Sequence, residues 1–535
     1  DNVGFTLNRD LATLAERVKR AGYATGAAVS SYILRKDTGI DRGFDDYDAS
    51  FTIAAGPETT IGQVQRSGAE TLTVAKEWIA RHEKGPFFFF LHLYEPHTPY
   101  TPPSPYREQY AHPYDGEVAY SDALVGEFID FLKARGLYEP ALIVLASDHG
   151  EGLGDHQEQE HGIFLYQAVA HVPLVVKWPR NERAGTKVSA AVQLIDVAPT
   201  IAALTGAEAD SGWRGASLLD DPDRPGARAR SIYSESMYPR YHFGWSELYA
   251  LTDGRFRYIQ APRDELYDLE RDSAEARNLA AERGQTRGAM RLALAPFIEP
   301  ALAAKPQKVA AEDLEKFQAL GYIGVAVQPT DTATQSLPDP KDKIGVFKTY
   351  RQAIQLAHDG RVDQAIAAYK EILADNPQMV DVWERLATVL QRADRGDEAM
   401  LVMRRIISLA PDNAAGHLRL GRALVRRRRF DEAAAEARAA LDKDPGQANE
   451  LLARIAFERG SPDAAASYAR EATVRDAGLP MPFYIQGLVR YQRGQFDAAL
   501  PFFETAAARL SARPSLTVPG LPAASRRPSA RLRRN

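Results

Sequence analysis

The chain has 535 residues, 45% of them hydrophobic and 26% charged, with 66 Lys and Arg against 71 Asp and Glu for a formal net charge of −5 at pH 7. That length permits roughly two to four domains, and the near balance of charge leaves no basic field with which to hold nucleic acid. No cysteine is present, which excludes disulfides, thiolate metal sites and a cysteine nucleophile within the chain.

No stretch reaches the roughly eighteen apolar residues of a membrane span. The chain opens Asp1-Asn2-Val3 without a methionine and is expected to begin inside a longer protein. Leu11, Leu14, Ala15 and Val18 fall at helical spacing, and Gly22 ends that helix. Strands are expected at Thr25–Ser30, Phe87–Leu93, Ala141–Ser147 and Val172–Lys177, with a helix from Asp122 to Lys133 between the second and third. "GPFFFFLHLYEPH" is apolar at successive positions, which suits a strand covered on both faces. Ala250–Ile259 and Asp264–Leu269 form a late antiparallel pair around the Asp253-Gly254 turn. The alternation of strands and helices predicts an α/β domain over residues 1–325.

"VQPTDTATQSLPDPKD" has three prolines and little to bury, so residues 326–342 are expected to be a linker. Beyond it the chain repeats. Pro377, Pro411 and Pro445 are 34 residues apart, and Ala365, Ala399 and Ala433 precede them at a constant offset. "GRVDQA", "DRGDEA", "RRFDEA", "GSPDAA" and "GQFDAA" mark about five successive turns. This pattern resembles the tetratricopeptide repeat, which implies an all-α solenoid over residues 343–508 whose groove binds a protein or peptide partner. The tail, residues 509–535, is basic and proline-rich and is expected to be disordered.

The chemistry gathers at strand ends. In an open parallel sheet, ligands bind beyond the carboxyl ends of the strands. Asp148-His149 sits there in "LIVLASDHGEGLGDHQEQEHG", and Glu95 and His97 sit at the matching end of the Phe87 strand. If the two strands are parallel in one sheet, these groups share an edge. His161 follows by a loop short enough to fold back over them. One carboxylate and three imidazoles near one cleft suit a divalent cation and a tetrahedral oxyanion. Around them Asp155, His156, Glu158 and Glu160 read as an exposed charged rim, and His92 as a core histidine within its strand. Asp115 and Glu117 read as acids favouring a helix N-terminus.

"FFLHLYEPHTPY", "YDGEVAYSDALVGEFIDFL", "VLASDHGEGLGDH", "HGIFLYQAVAHVPLVVKWP", "VQLIDVAPTIAALTG" and "DELYDLERDSAEARNLA" resemble, in this order, blocks of the sulfatases of the alkaline phosphatase superfamily. The resemblance spans about residues 9 to 282. It implies a mostly parallel sheet flanked by helices and a metal-dependent hydrolase of sulfate or phosphate esters. It assigns Asp148 and His149 to the metal, His97 to the leaving ester oxygen as general acid or hydrogen-bond donor, and His161 to the anion. Calcium is the metal the family implies, whereas the imidazole of the Asp148-His149 pair favours zinc or manganese.

The family's nucleophile and first metal-binding aspartates precede the segment that "DNVGFTLNRDLATLAERVKRAGY" resembles, so the chain is expected to be inactive by itself. In "TGAAVSSYIL" this sequence has Ser30 and Tyr32 where many sulfatases carry a lysine and a histidine, which leaves phosphomonoester and phosphodiester substrates or phosphoryl transfer open. Arg240 and His242 in "YPRYHFGWSELYAL" are expected to wall the cleft and touch substrate, with Glu95 as a further substrate contact. The resemblance also implies a periplasmic or other extracytoplasmic location. A scaffold that works through its repeats, with an inert α/β domain, is the alternative from another class.

Overall fold

In the computed structural model the described residues are 7–51, 65–220, 223, 230–298 and 337–512. The expectations for residues 1–3, for 326–336 of the linker and for 513–535 of the tail lie outside them.

Helix α1 (Leu14–Arg20) starts on a capping box between Thr13 and Glu16 and buries Ala15 and Val18. Strand β1 (Ala24–Val29) is the centre of a parallel three-stranded sheet, between β2 (Asp46–Asp48) and β3 (Phe87–His92). Helix α2 (Gly68–His82), opened by a second capping box at Ser67 and Glu70, lies on that sheet. The phenylalanines of β3 alternate, as strand geometry demands. Phe87 and Phe89 meet Trp78 of α2 at ring distances of 6.1 and 5.2 Å, while Phe88 and Phe90 turn toward Phe44 and Tyr47.

Helix and sheet pack closely at Gly26, where a Cβ would sit 2.4 Å from the Trp78 ring. Gly26→Ala is therefore expected to displace the indole at a cost of about 1–3 kcal/mol. Urea denaturation reads this directly, and an unchanged midpoint would mean that Trp78 does not clamp α2 to β1.

After α2 and β3 come α3 (Tyr106–Gln109) and the long α4 (Pro113–Ala134), which opens earlier than the apolar spacing indicates. Strand β4 (Ile143–Ala146) pairs with β5 (Leu174–Lys177), and the pairing is antiparallel. The expectation that the Phe87 and Ala141 strands run parallel in one sheet is thus corrected. The chain doubles back after β4 through a long loop and the one-turn α5 (Gln167–Ala170), so β4 takes its hydrogen bonds from the returning strand. Helix α6 (Val197–Thr205) follows. The late segment is a four-stranded antiparallel sheet, β6 (Ile232–Ser236), β7 (Leu248–Thr252), β8 (Phe256–Gln260) and β9 (Glu265–Asp268). Its β7–β8 turn is fixed by Asp253, whose carboxylate accepts from the Arg255 and Phe256 amides at 2.8 and 2.6 Å. Helix α7 (Gly284–Leu294) closes that core with Met290 and Leu294.

The repeats form helical hairpins: Pro340–His358 with Val362–Asp375, Val380–Arg392 with Gly396–Leu409, Ala414–Arg426 with Phe430–Ala439, Pro445–Glu458 with Pro462–Arg475, and Pro480–Gln492 with Phe496–Ala512. The first begins inside the stretch read as linker, because Asp339 caps it by accepting the Lys341 amide at 3.0 Å. Ala365, Ala399 and Ala433 are buried, and Gly421 and Gly487 let Leu451 and Phe503 approach to where a Cβ would be 2.7 Å away. The chain divides into two compact units. One holds the α/β part with the first two hairpins up to Pro411, and the other the hairpins from Asp412 onward. No helix among the described residues is long and apolar enough to cross a membrane.

Candidate active site

Three imidazoles meet where the loops after β3 and β4 come together. His149 and His161 stack with ring centroids 3.8 Å apart, and His97 stands edge-on to them at 6.4 and 5.3 Å. The strands bearing His97 and His149 share no hydrogen-bonded sheet, yet their loops deliver both rings to one place.

His97 is held on three sides. Tyr94 stacks on its ring at 4.2 Å, and its Nδ1 lies 2.9 Å from the Thr98 carbonyl. Its backbone N–H donates to Glu117 Oε2 at 3.0 Å, while Glu117 Oε1 takes the Thr101 amide at 2.6 Å. Glu117 is buried on α4, so the acid read as a helix-dipole residue serves as the anchor of the His97 loop. Burial lowers the His97 pKa below the ordinary imidazole value. A carbonyl can only accept, so the proton of the neutral ring is on Nδ1, and Nε2, 3.3 Å from the Tyr94 hydroxyl, carries the lone pair.

His161 has the opposite electrostatics. Burial works to lower its pKa, but the Glu151 hydrogen bond and the charges of Glu151, Glu160 and Glu158 raise it above the ordinary value. Its Nδ1 lies 3.2 Å from Glu151 Oε1. For Glu151 burial acts upward, and the His161 hydrogen bond and charge outweigh it and hold the carboxyl below its usual range. Both shifts favour the charged pair, an imidazolium on a buried carboxylate, whose remaining ring N–H is at Nε2.

The charged rim is only partly a rim. Asp155 is exposed, but Glu158 is 2% exposed and accepts the Ile163 and Phe164 amides at 2.7 and 3.1 Å. Burial pushes its pKa up to about 7. His156 stacks on Tyr166 at 3.5 Å, and Glu160 is ion-paired with Arg351 of the first repeat helix. His92 is a core residue as read: its Nδ1 lies 3.4 Å from the Ser30 amide, and burial pushes its pKa down to about 4.

The residues expected to touch substrate are placed as follows. Glu95 caps α2, accepting the Gly68 amide at 2.9 Å, because the loop after β3 passes the N-terminus of that helix. His242 is 4% exposed, stacked on Tyr238 and 2.6 Å from Asp381 of helix Val380–Arg392. Arg240 Nε is 4.0 Å from Glu247. The turn Pro239–Phe243 packs toward the repeats, and that takes the His242 side chain into the packing there, while Arg240 faces Glu247 of its own segment. Ser30 is fully buried with its hydroxyl 2.7 Å from that of Thr71, and Tyr32 is buried too.

Comparison with known proteins bears on the same segments. Residues 2–207 match the Sulfatase family model, and residues 158–294 match that of the N-sulphoglucosamine sulphohydrolase C-terminal region. Tetratricopeptide repeat models match residues 356–417 and 418–480. This chain carries a sulfatase-family domain fused to tetratricopeptide repeats. The sulfatase domain is 28% identical over 180 residues to Arylsulfatase K of Bos taurus, covering 31% of this chain and 32% of that protein. It is 29% identical over 181 residues to the N-acetylglucosamine-6-O-sulfatase of Bacteroides thetaiotaomicron, covering 32% of each. The chain thus spans about a third of the length of these curated relatives. Among solved structures, the phosphonate monoester hydrolase of Agrobacterium radiobacter aligns with a TM-score of 0.45 at 19% identity, over 56% of this chain and 83% of that one. MamA aligns with a TM-score of 0.28 at 20% identity, over 30% of this chain and 95% of that one.

In the sulfatase domain, Asp148 and His149 have the donor chemistry of a divalent-cation site. His149 Nδ1 is 2.9 Å from the Gly150 carbonyl, which leaves its Nε2 lone pair 3.8 Å from the exposed Asp148 Oδ2. A cation takes about four to six donors, and these residues offer two. No group of three or more His, Asp or Glu able to hold a metal occurs among the described residues. The pair supplies two of the donor types such a coordination sphere takes.

Proposed function

We propose that the sulfatase domain serves sulfate-ester hydrolysis together with a nucleophile that this chain does not itself supply, with Asp148 and His149 contributing to a divalent-metal site and His161 and His97 facing the ester. One observation carries the reading: His97 and His161 stand 5.3 Å apart, burial favouring the neutral form of the first and Glu151 the charged form of the second, beside the metal-type donors Asp148 and His149. His161 bears the positive charge that meets a tetrahedral oxyanion. It is also the ring with a spare proton for the departing alcohol oxygen, because Glu151 stabilises the imidazolium before and after the anion binds. His97 presents a lone pair at Nε2, so it accepts a proton or a hydroxyl donor. The acid role assigned to it from the family therefore passes to His161. The cation supplies polarisation of the ester oxygens when bound, and its imidazole ligand favours zinc or manganese over calcium.

Burial of Ser30 and Tyr32 favours a second reading. Neither offers a positive charge where many relatives have two basic residues, so phosphate ester cleavage is the competing chemistry. The longest natural polypeptide containing this chain, assayed on 4-nitrophenyl sulfate and 4-nitrophenyl phosphate, separates the two. Sulfate cleavage is expected to dominate, and Asp148→Ala is expected to lower it by about 10²–10³-fold. Preference for phosphate would transfer the assignment to that chemistry. Activity indifferent to Asp148→Ala would remove the metal pair from it. The extracytoplasmic location implied by the family accompanies this reading. The repeats supply a protein-binding surface, with exposed Tyr491, Phe496 and Leu500 on the last hairpin as its apolar contacts.

A further inference from the structure

Between Gly152 and Gly162 the main chain doubles back on itself. The Gly152 amide donates to Glu160 O at 2.7 Å, Leu153 to Gln159 O at 3.2 Å, and Gly154 to Glu158 O at 2.8 Å. Beyond His161 the chain is tied to the antiparallel sheet. The Ser236 hydroxyl donates to Gly162 O at 2.6 Å, Arg257 to Leu165 O at 2.8 Å, and the Tyr166 hydroxyl to Glu265 at 2.8 Å. At the corner formed by Glu160 and His161 the side chains do the holding. His161 is taken by Glu151, and Glu160 by Arg351, 191 residues away in the first repeat helix. Lys341, at the start of that helix, reaches Glu265 Oε1 at 2.9 Å, on the carboxylate that also receives Tyr166. One helix of the repeats therefore holds Glu160 directly and reaches Tyr166 through Glu265.

We propose that Arg351 is a positioning residue for the anion site, holding Glu160 so that His161 faces the bound oxyanion. The proposal rests on the hydrolase reading above. As an isolated contact, a half-buried ion pair adds little to stability. Its effect here is directional. Glu160 is the residue next to the anion-facing imidazole, and without its guanidinium it is a free carboxylate able to turn toward His161. It would then compete with sulfate for the His161 ring, and the Glu160–Gly152 corner would lose its outer support.

The test uses the longest natural polypeptide containing this chain, with inorganic sulfate as the probe. Arg351→Ala is expected to raise the inhibition constant for sulfate about tenfold, with the urea midpoint unchanged. Arg351→Lys should recover most of the loss. Adding Glu160→Gln to Arg351→Ala should recover part of it with the urea midpoint still unchanged, because the unpaired carboxylate is what harms binding; a purely structural pair would show its loss and its rescue in the midpoint. Hydrogen exchange at the Gly152 amide should speed up in Arg351→Ala and remain slow in Arg351→Lys. Unchanged sulfate inhibition together with unchanged exchange overturns the proposal, as does a loss that Glu160→Gln deepens. If the wild type cleaves neither ester, the hydrolase reading fails by itself. Sulfate binding by calorimetry and exchange at Gly152 then still decide whether Arg351 holds the loop.

Discussion

His161→Ala is expected to lower kcat/KM for an aryl sulfate by about 10²–10⁴-fold. On the proposed reading, the variant loses both the charge that meets the anion and the proton offered to the leaving oxygen. The pH dependence follows from the direction of two shifts. The folded-state pKa of His161 lies above its ordinary 6.5, so its charge is complete below pH 6.5 and is lost as pH rises through the raised value. Glu151 lies below its ordinary 4.5, so its charge is complete above pH 4.5 and is lost as pH falls through the lowered value. The ion pair, and the stability it contributes, are therefore intact between those two folded-state values. Sulfate inhibition should weaken along the alkaline limb. Glu151→Gln should bring that limb to lower pH, since the imidazolium loses its counter-charge. An alkaline limb that stays in place in Glu151→Gln would take the role from His161.

Phe243→Ala is expected to cost about 3–5 kcal/mol, the range for removing a fully buried aromatic ring. The ring is 1% exposed and lies 4.7 Å from Trp245, 5.7 Å from Phe347 and 6.3 Å from Tyr350. The last two belong to the first repeat helix, so the cavity opens where the antiparallel-sheet segment meets the repeats. Urea unfolding followed by tryptophan fluorescence should show an earlier transition. Leu292→Ala, at a side chain 77% exposed, serves as the control and should fall within about 0.5 kcal/mol of the wild type. A Phe243→Ala loss of that same small size would mean that the ring cluster does not join the two segments.

What the sequence disclosed depends on how local each signal is. The repeats were legible because a small residue recurs wherever two helices must touch, as at Ala365, Ala399 and Ala433. His97, His149 and His161 were legible as strand-end and loop residues within recognisable blocks. Strand pairing was not, since nothing within β4 says that its partner is the returning β5 rather than β3. Glu158 was misread for a related reason. A run of acids looks solvated until the Ile163 and Phe164 amides are seen to need an acceptor. Glu117 looked like a helix-opening acid because its partners, the amides of His97 and Thr101, lie 20 and 16 residues earlier. Glu151 stood in view within "SDHGE", and only its contact with His161 gives it a role. His242 with Asp381, and Glu160 with Arg351, are separated by 139 and 191 residues, and no periodicity spans such distances.

Histidine-ring NMR of the chain during a titration with inorganic sulfate reports on the shared pocket itself. The sequence has 11 histidines, few enough to assign by single substitutions. The ring signals of His97, His149 and His161 should move together with one affinity, while His156 against Tyr166 and His242 against Asp381 stay where they are. Separate affinities for His97 and His161, or movement of His242 in place of either, would show that these rings do not serve one anion.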